Sequence, residues 1–299
     1  MQDFEVSILI CSWNTVDDLR LCLQSLEHET KSANLEVLVI DNNSEDDSAD
    51  MVESQFPWVV LHRMSTNLGF TGGNNFALEH RRSGNAMLLN SDTIVHPGAL
   101  RSLLDFAKAN PEAGVIGPKL LNPDGTLQMS CRRFPNPIAA LFRNTPLGKL
   151  FPKNKFTREY LMEDFAHDQV REVDWVSGAA LFATREMIDK VGHLDPDYFM
   201  FCEDVDWCFQ AHKAGFKVLY YPEAVITHAI GRSTDKAPNR MIGRFHRSMF
   251  HFYAKNMVPQ QSPIVRPFAL AGAALALSLR AGLFITKNKI DKVKRWLKR

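Results

Sequence analysis

Residues 6–44 read VSILICSWNTVDDLRLCLQSLEHETKSANLEVLVIDNNS, and the order of textures in this stretch decides the fold. An apolar run ends on Ser12 and Asn14, a helical pattern follows, and a second apolar run ends on Asp41 and Asn42. In the middle segment Leu19, Cys22, Leu23 and Leu26 fall on one helical face behind an acidic first turn. The flanking runs are nearly continuous in apolar residues, as strands buried on both faces are. Such β-α-β alternation predicts an α/β fold with a mainly parallel central sheet flanked by helices. NAMLLNSD (85–92) is a third run of the same kind, ending on Asn90 and Asp92. Ligands of such sheets bind outside the carboxyl ends of the strands. Ser12, Asn14, Asp41, Asn42 and Asp92 therefore gather on one edge.

The groups on that edge suit a nucleoside diphosphate. Asp41 can accept a nucleobase N–H, and Ser12 and Asn14 can bond base or ribose. Asp92 is the natural protein ligand for a hard divalent cation, Mg²⁺ or Mn²⁺, that would neutralise the diphosphate. STNLGFTGGNNFALEHRR (65–82) places Asn67, Gly69, Gly72 and Gly73 ahead of a helix expected over 74–82, where backbone can approach a ligand and helix N–H groups can face an anion. The glycine spacing matches neither the dinucleotide fingerprint nor the P-loop.

The second half continues the pattern less regularly. GVIGPKLLNPDGTLQMSCRRFP predicts two strands about an NPDG turn, and DWVSGAALFATREMIDKVG a strand and a short helix stopped at Gly192. Residues 136–170 carry little periodicity and are expected as an excursion. FMFCEDVDWCFQAHKAGFKVLYYPEAVITH predicts a helix over 203–213, a cap at Gly215 and a strand ending near His228. Glu203, Asp204 and Asp206 crowd the start of that helix behind aromatic residues that would partly desolvate a carboxylate, a setting for a general base. His228 offers an imidazole ligand, and Arg232 can meet phosphate.

Composition bounds the partners. The 299 residues are 45% apolar and 23% charged, with a net charge of +1. That total hides a division: residues 232–299 hold 15 Lys and Arg against 2 Asp and Glu, net +13, and residues 1–231 hold 20 against 32, net −12. A catalytic domain over 1–231 and a basic helical tail over 232–299 are expected. The tail contains PFALAGAALALSL, then Arg280, then IDKVKRWLKR, an apolar and basic pattern suited to an anionic membrane surface rather than nucleic acid. Five cysteines without a C-x-x-C pair indicate neither disulfides nor zinc, and the N-terminus reads as a strand rather than a signal peptide. A peripheral protein on the cytoplasmic face of the inner membrane is expected.

The ordered set VIDNNS, NLGFTGGNN, LLNSDT, WVSGAALFATRE, GHLDPDYFMFCEDVDWCFQAHKAG and HAIGRS resembles the family 2 glycosyltransferases of GT-A fold, in particular the rhamnosyltransferase-like branch that builds O-antigen and cell-wall glycans. The resemblance covers residues 5 to about 255. It implies a nucleotide-diphospho-sugar donor, dTDP-L-rhamnose above others, a divalent metal, inversion at the anomeric carbon and a lipid-linked or nascent glycan acceptor. By position it makes Asp204 the base with Glu203 beside it, and Asp92 and His228 the metal ligands. The donor would meet Ser12, Asn14, Asp41, Asn67, Gly69, Gly73, Asn90 and Arg232. Asn90 stands where many relatives carry the first acid of D-x-D, which leaves it a ribose or water-mediated contact. A sugar nucleotidyltransferase and a non-catalytic sugar-nucleotide-binding scaffold are the alternatives, and a homodimer is left open.

Overall fold

A computed structural model of the chain describes residues 4–136, 139, 142, 143, 145–229 and 238–296. Strand β1 (Val6–Ser12), helix α1 (Val16–Glu29) and strand β2 (Leu35–Asp41) form the opening unit, with β1 and β2 parallel and Ser12 opposite Asp41. α1 buries Leu19, Cys22, Leu23 and Leu26, the face its spacing predicts. Helix α2 (Ser48–Gln55) leads to β3 (Val60–Arg63), parallel to β2; α3 (Gly69–His80) leads to β4 (Ala86–Leu89), parallel to β1 on its other side. α3 starts earlier than expected and takes the glycines into its first turns.

The remaining elements are β5 (Thr93–Val95), α4 (Ala99–Ala109), β6 (Ala113–Leu121), β7 (Leu127–Gln128), β8 (Cys131–Arg132), α5 (Pro146–Leu150), α6 (Lys155–Leu161), β9 (Arg171–Glu172), β10 (Trp175–Val176), β11 (Ala180–Ala183), α7 (Arg185–Val191), α8 (Glu203–Lys213), β12 (Lys217–His228), α9 (Pro238–Phe252), a π-helical turn over Tyr253–Met257 and α10 (Arg266–Trp296). The main sheet runs β3-β2-β1-β4-β11-β6-β12-β5. β6 and β12 are parallel, whereas β11 is antiparallel to both β4 and β6, and β5 is antiparallel to β12.

Alternate residues of the central strands feed two cores. Ile8, Ile10, Val37 and Val39 face α1 and α4, while Leu9, Leu38, Ile40 and Leu88 face α3 and Trp207 of α8. Burial of both faces is the reason these strands read as continuous apolar runs. The second core also takes in Phe252 of α9, so residues that the charge pattern groups with the tail pack on the body. α10 is one unbroken helix of 31 residues, about 46 Å long. Phe268, Leu275, Leu279 and Leu283 on it are between 61% and 74% exposed.

Candidate active site

The carboxyl ends of β1 and β2 meet the turn before α3. Asp41 is buried; its Oδ2 accepts from the Ser44 N–H at 3.1 Å, and its Oδ1 is buried without a partner. A buried carboxylate oxygen lacking a donor is costly unless a ligand supplies one, and a nucleobase N–H is of that kind. Asn42 holds the turn in place, donating to Gly69 O at 2.9 Å and accepting from Leu68 N–H at 2.9 Å. Asn67 is exposed and accepts from Gly69 N–H at 2.9 Å. The close approach that the glycines allow is to protein: a Cβ at Gly73 would overlap Cys11 Sγ, and one at Gly69, where φ is +76°, would overlap Phe199 O. Asn14, with φ of 54°, accepts from Glu45 N–H at 2.6 Å and so brackets the loops after β1 and β2. Ser12 is fully buried, its hydroxyl 2.9 Å from Thr15 Oγ1, which donates to Ser91 Oγ at 2.9 Å. This hydroxyl relay ties the end of β1 to the segment carrying Asp92.

Antiparallel pairing of β5 with β12 sets His228 opposite Thr93 and beside Asp92. His228 Nε2 lies 3.3 Å from Asp92 Oδ1 and 3.2 Å from Asn90 Nδ2, with the Asp92 and His228 side chains each 10% exposed. The imidazole is oriented from behind by Gln128, whose Oε1 is 2.7 Å from His228 Nδ1. The Gln128 amide donates to His228 O at 3.1 Å and Asn122 Oδ1 at 3.0 Å, so its oxygen must face the ring. Nδ1 is thereby assigned a proton, and Nε2 is the ring nitrogen turned toward Asp92 and Asn90. One carboxylate and one imidazole, the latter fixed by an outer partner, form a donor set that fits a divalent cation. A second cluster, Asp195, Asp197 and His251, is also close enough to share an ion. There the Lys255 ammonium already sits 2.6 Å from Asp195 Oδ2, and its charge opposes a cation.

The three acids of α8 separate into distinct environments. Asp206 is buried and taken up by Lys255 at 2.8 Å and by Asn256 at 2.6 Å. Glu203 is buried with Oε2 unpartnered, and burial followed by the charge of Asp204 pushes its carboxyl well above the usual range. Asp204 lines the cavity; burial raises its carboxyl, opposed by the N–H groups of Gly178 and Val205 at 2.9 and 2.8 Å. Phe201 and Cys202, with φ of 72° and 65°, turn the chain into α8 just ahead of it. Two successive non-glycine residues in the left-handed region cost roughly 1–3 kcal/mol each, a form of strain that collects at functional sites. A cavity of about 670 Å³ joins Asp92 and His228 to Glu203 and Asp204.

Residues 3–257 match the family model described as glycosyltransferase like family 2. The chain belongs to glycosyltransferase family 2. An N-acetylglucosaminyl-diphospho-decaprenol L-rhamnosyltransferase of Mycobacterium tuberculosis is 32% identical over 229 residues, covering 73% of this chain and 74% of that relative. A mannosyltransferase from Pyrobaculum calidifontis, solved with GDP-Man and Mn²⁺, superposes with a TM-score of 0.57 at 15% identity, covering 98% of this chain and 81% of its own. TarS of S. aureus in complex with UDP gives 0.54 at 15% identity, over 90% and 70%. These two share the GT-A fold.

Within this glycosyltransferase the structure brings Asp41, Asn90, Asp92, Glu203, Asp204 and His228 to one edge of the sheet; Arg232 lies outside the described residues. Gln128 and Lys255 are positioning residues that the sequence reading does not name, and Asn42, which it places on this edge, turns out to position the turn before α3. The only hint of Gln128 is a polar residue in an apolar hairpin strand, because its partner is 100 residues away.

Proposed function

We propose that the protein is a metal-dependent inverting glycosyltransferase that moves L-rhamnose from dTDP-L-rhamnose to a lipid-linked glycan acceptor. The observation that carries this reading is one cavity holding an oriented Asp92–His228 pair and, at the start of α8, two desolvated acids without an ion-pair partner among the described residues, Glu203 and Asp204. The rhamnosyltransferase relative supports the donor sugar and the class of acceptor.

The donor nucleotide takes the edge of β1 and β2, with its base N–H on Asp41 Oδ1. Its diphosphate lies toward Asp92 and His228. Asp204 accepts the proton of the acceptor hydroxyl as that oxygen attacks the anomeric carbon on the face opposite the nucleotide. The anomeric C–O bond breaks, its electron pair leaves with the nucleoside diphosphate, and configuration inverts, as in other single displacements at a sugar carbon. A divalent cation on Asp92 and His228 supplies charge neutralisation for the departing diphosphate. A mixed imidazole and carboxylate set suits Mn²⁺ better than Mg²⁺, which prefers oxygen ligands throughout.

α10 sets the location of the reaction. Within Arg266–Ile290 it carries an 18-residue window of mean hydropathy 1.9, none of that window buried in the fold. Arg280, near its middle, donates to Arg143 O on the catalytic body at 3.1 Å. A helix fastened at its midpoint to the body is placed to lie along a bilayer rather than thread through it. This reading makes the protein peripheral, on the cytoplasmic face of the inner membrane, consistent with free cysteines throughout.

Incubation with a panel of nucleotide sugars and Mn²⁺, Mg²⁺ or EDTA, followed by donor hydrolysis and transfer, tests the proposal. Turnover should be restricted to deoxythymidine-linked rhamnose, stop in EDTA, and fall by about 10² or more in Asp92→Asn. Full turnover in EDTA, or an Asp92→Asn enzyme as fast as the parent, overturns the metal role; turnover with a different sugar overturns the donor.

A further inference from the structure

The cavity does not end at Asp204. Its far wall carries Arg132 of β8, Arg143 and Arg280 of α10. Among the described residues no carboxylate lies within 4 Å of any of these three guanidinium groups. Arg132 lies over the Trp175 ring at 5.1 Å, Arg143 over Tyr160 at 5.2 Å and Arg280 over Phe284 at 5.4 Å. Arg143 donates to Tyr160 Oη at 3.1 Å, and Arg280 to the backbone oxygen of Arg143 itself. The Nε atoms of Arg132 and Arg280 are buried with no acceptor at all. Aromatic faces hold the planes of these cations, and Arg132 spends a terminal N–H on Met129 O at 3.1 Å, which leaves its Nε and that of Arg280 to a ligand. Three neighbouring positive charges, with Asp204 acting on Arg132 only at longer range and no ion pair made, are costly in a cavity, and an anion that accepts several N–H bonds relieves that cost.

The position of the cluster says which anion. The segment 175–179 runs along the cavity and orders its groups. Trp175 pairs with Arg132, Gly178 donates to Asp204 at 2.9 Å, and Ala179 O accepts from Asn90 N–H at 2.9 Å. Asp204 thus stands between the Asn90–Asp92 side, where the donor diphosphate belongs, and the arginines. A molecule whose hydroxyl reaches Asp204 from the arginine side presents its anionic group to them. Beyond the arginines the wall turns apolar with Met241, Phe245 and Phe284, and Phe284 stands on the same helix whose outer face exposes Leu275, Leu279 and Leu283.

We infer that Arg132, Arg143 and Arg280 form the subsite for the diphosphate of an isoprenyl-diphosphate-linked sugar acceptor, with its first isoprenyl units against Phe245 and Phe284. This assignment rests on the glycosyltransferase reading given above and adds to it the place where the acceptor's charge is held. The nonreducing end of the acceptor sugar reaches Asp204, and the lipid leaves along α10 toward the bilayer.

The test uses the full chain and farnesyl diphosphate as a soluble probe, titrated in EDTA so that the Asp92–His228 side holds no metal. Farnesyl diphosphate should bind the parent and the Asp92→Asn protein alike, and about 10- to 100-fold more weakly to Arg280→Gln and Arg143→Gln. Arg280→Lys should recover part of the loss, which a folding defect would not allow. In Mn²⁺, dTDP affinity should be the same in the arginine variants as in the parent. Transfer to an isoprenyl-diphosphate sugar should show a raised acceptor KM in Arg280→Gln, while transfer to the same sugar as a short alkyl glycoside should not. Unchanged farnesyl diphosphate binding in both arginine variants, loss of that binding in Asp92→Asn, or equal KM changes for the two acceptors overturns the subsite. A parent that binds no nucleoside diphosphate instead overturns the underlying glycosyltransferase reading.

Discussion

Asp204 sits where burial and its own backbone partners pull in opposite directions, and burial prevails. A carboxyl raised in the folded state favours the protonated form. Its contribution to stability is complete below the ordinary carboxylate pKa of about 3.9 and is lost as pH rises through the raised folded value. Asp204→Asn carries no such loss, so the melting temperature of the variant relative to the parent should climb across that window and then level off. Transfer at saturating donor should follow the opposite logic in the parent, increasing with pH as the base ionises, and should fall by about 10²–10⁴-fold in Asp204→Asn. A near-parental rate would shift the base elsewhere, and Asp206, locked to Lys255 and Asn256, is poorly placed to inherit it. Asp41 offers a contrasting case, since its free oxygen serves binding rather than chemistry. Asp41→Ala should weaken dTDP binding by about 10- to 100-fold in calorimetric titration, with a smaller effect on turnover of the bound donor.

Helix α3 shows how a ligand-like motif can be a packing motif at the level of an element. Gly73 faces Cys11 of β1 across a gap that leaves no room for a Cβ. Gly73→Ala should therefore destabilise the protein by about 1–3 kcal/mol, as overpacking does, and Cys11→Ala in the same chain should restore much of it, measurable as denaturant midpoints. The helix and strand types near the N-terminus were legible because β1, α1 and β2 each carry a full period of their own pattern. α8 was legible for the same reason, with acids at its start and Gly215, φ +90°, just past its end. Strand direction was not legible: β11 is antiparallel to both neighbours, yet ALFA looks like any other buried strand. The four-residue β3 and three-residue β5 were too short to show a period. The pair Asp92–His228 depends on β5 pairing with β12, so its two residues could be named from local chemistry while their contact could not.

Charge and hydropathy describe the whole molecule differently from packing. The basic excess after residue 232 is real, but aromatic residues between the cations draw α9 into the second core, and Arg280 turns inward to the cavity. Removing residues 260–299 would thus take away a wall of the cavity together with the exposed apolar face proposed to meet the membrane. Leu275→Gln/Leu279→Gln/Leu283→Gln separates the two, since these side chains point outward. At about 1.5 kcal/mol per leucine withdrawn from the interface, partitioning onto anionic vesicles should drop by roughly 10³, while dTDP affinity stays at the parental value. Parental vesicle binding by the triple variant would mean that the face is covered by something other than lipid.

On the proposed interfacial placement, the fastening of α10 to the catalytic body also fixes the dimension of the search for substrate. An enzyme lying flat with its cavity open along that helix meets a lipid-borne acceptor by lateral diffusion, not by collision from bulk water. Its rate should then depend on the mole fraction of acceptor in the bilayer. Adding inert phospholipid at a constant total amount of acceptor should slow transfer in proportion to the dilution of the surface, and adding water should leave it unchanged so long as the enzyme stays bound.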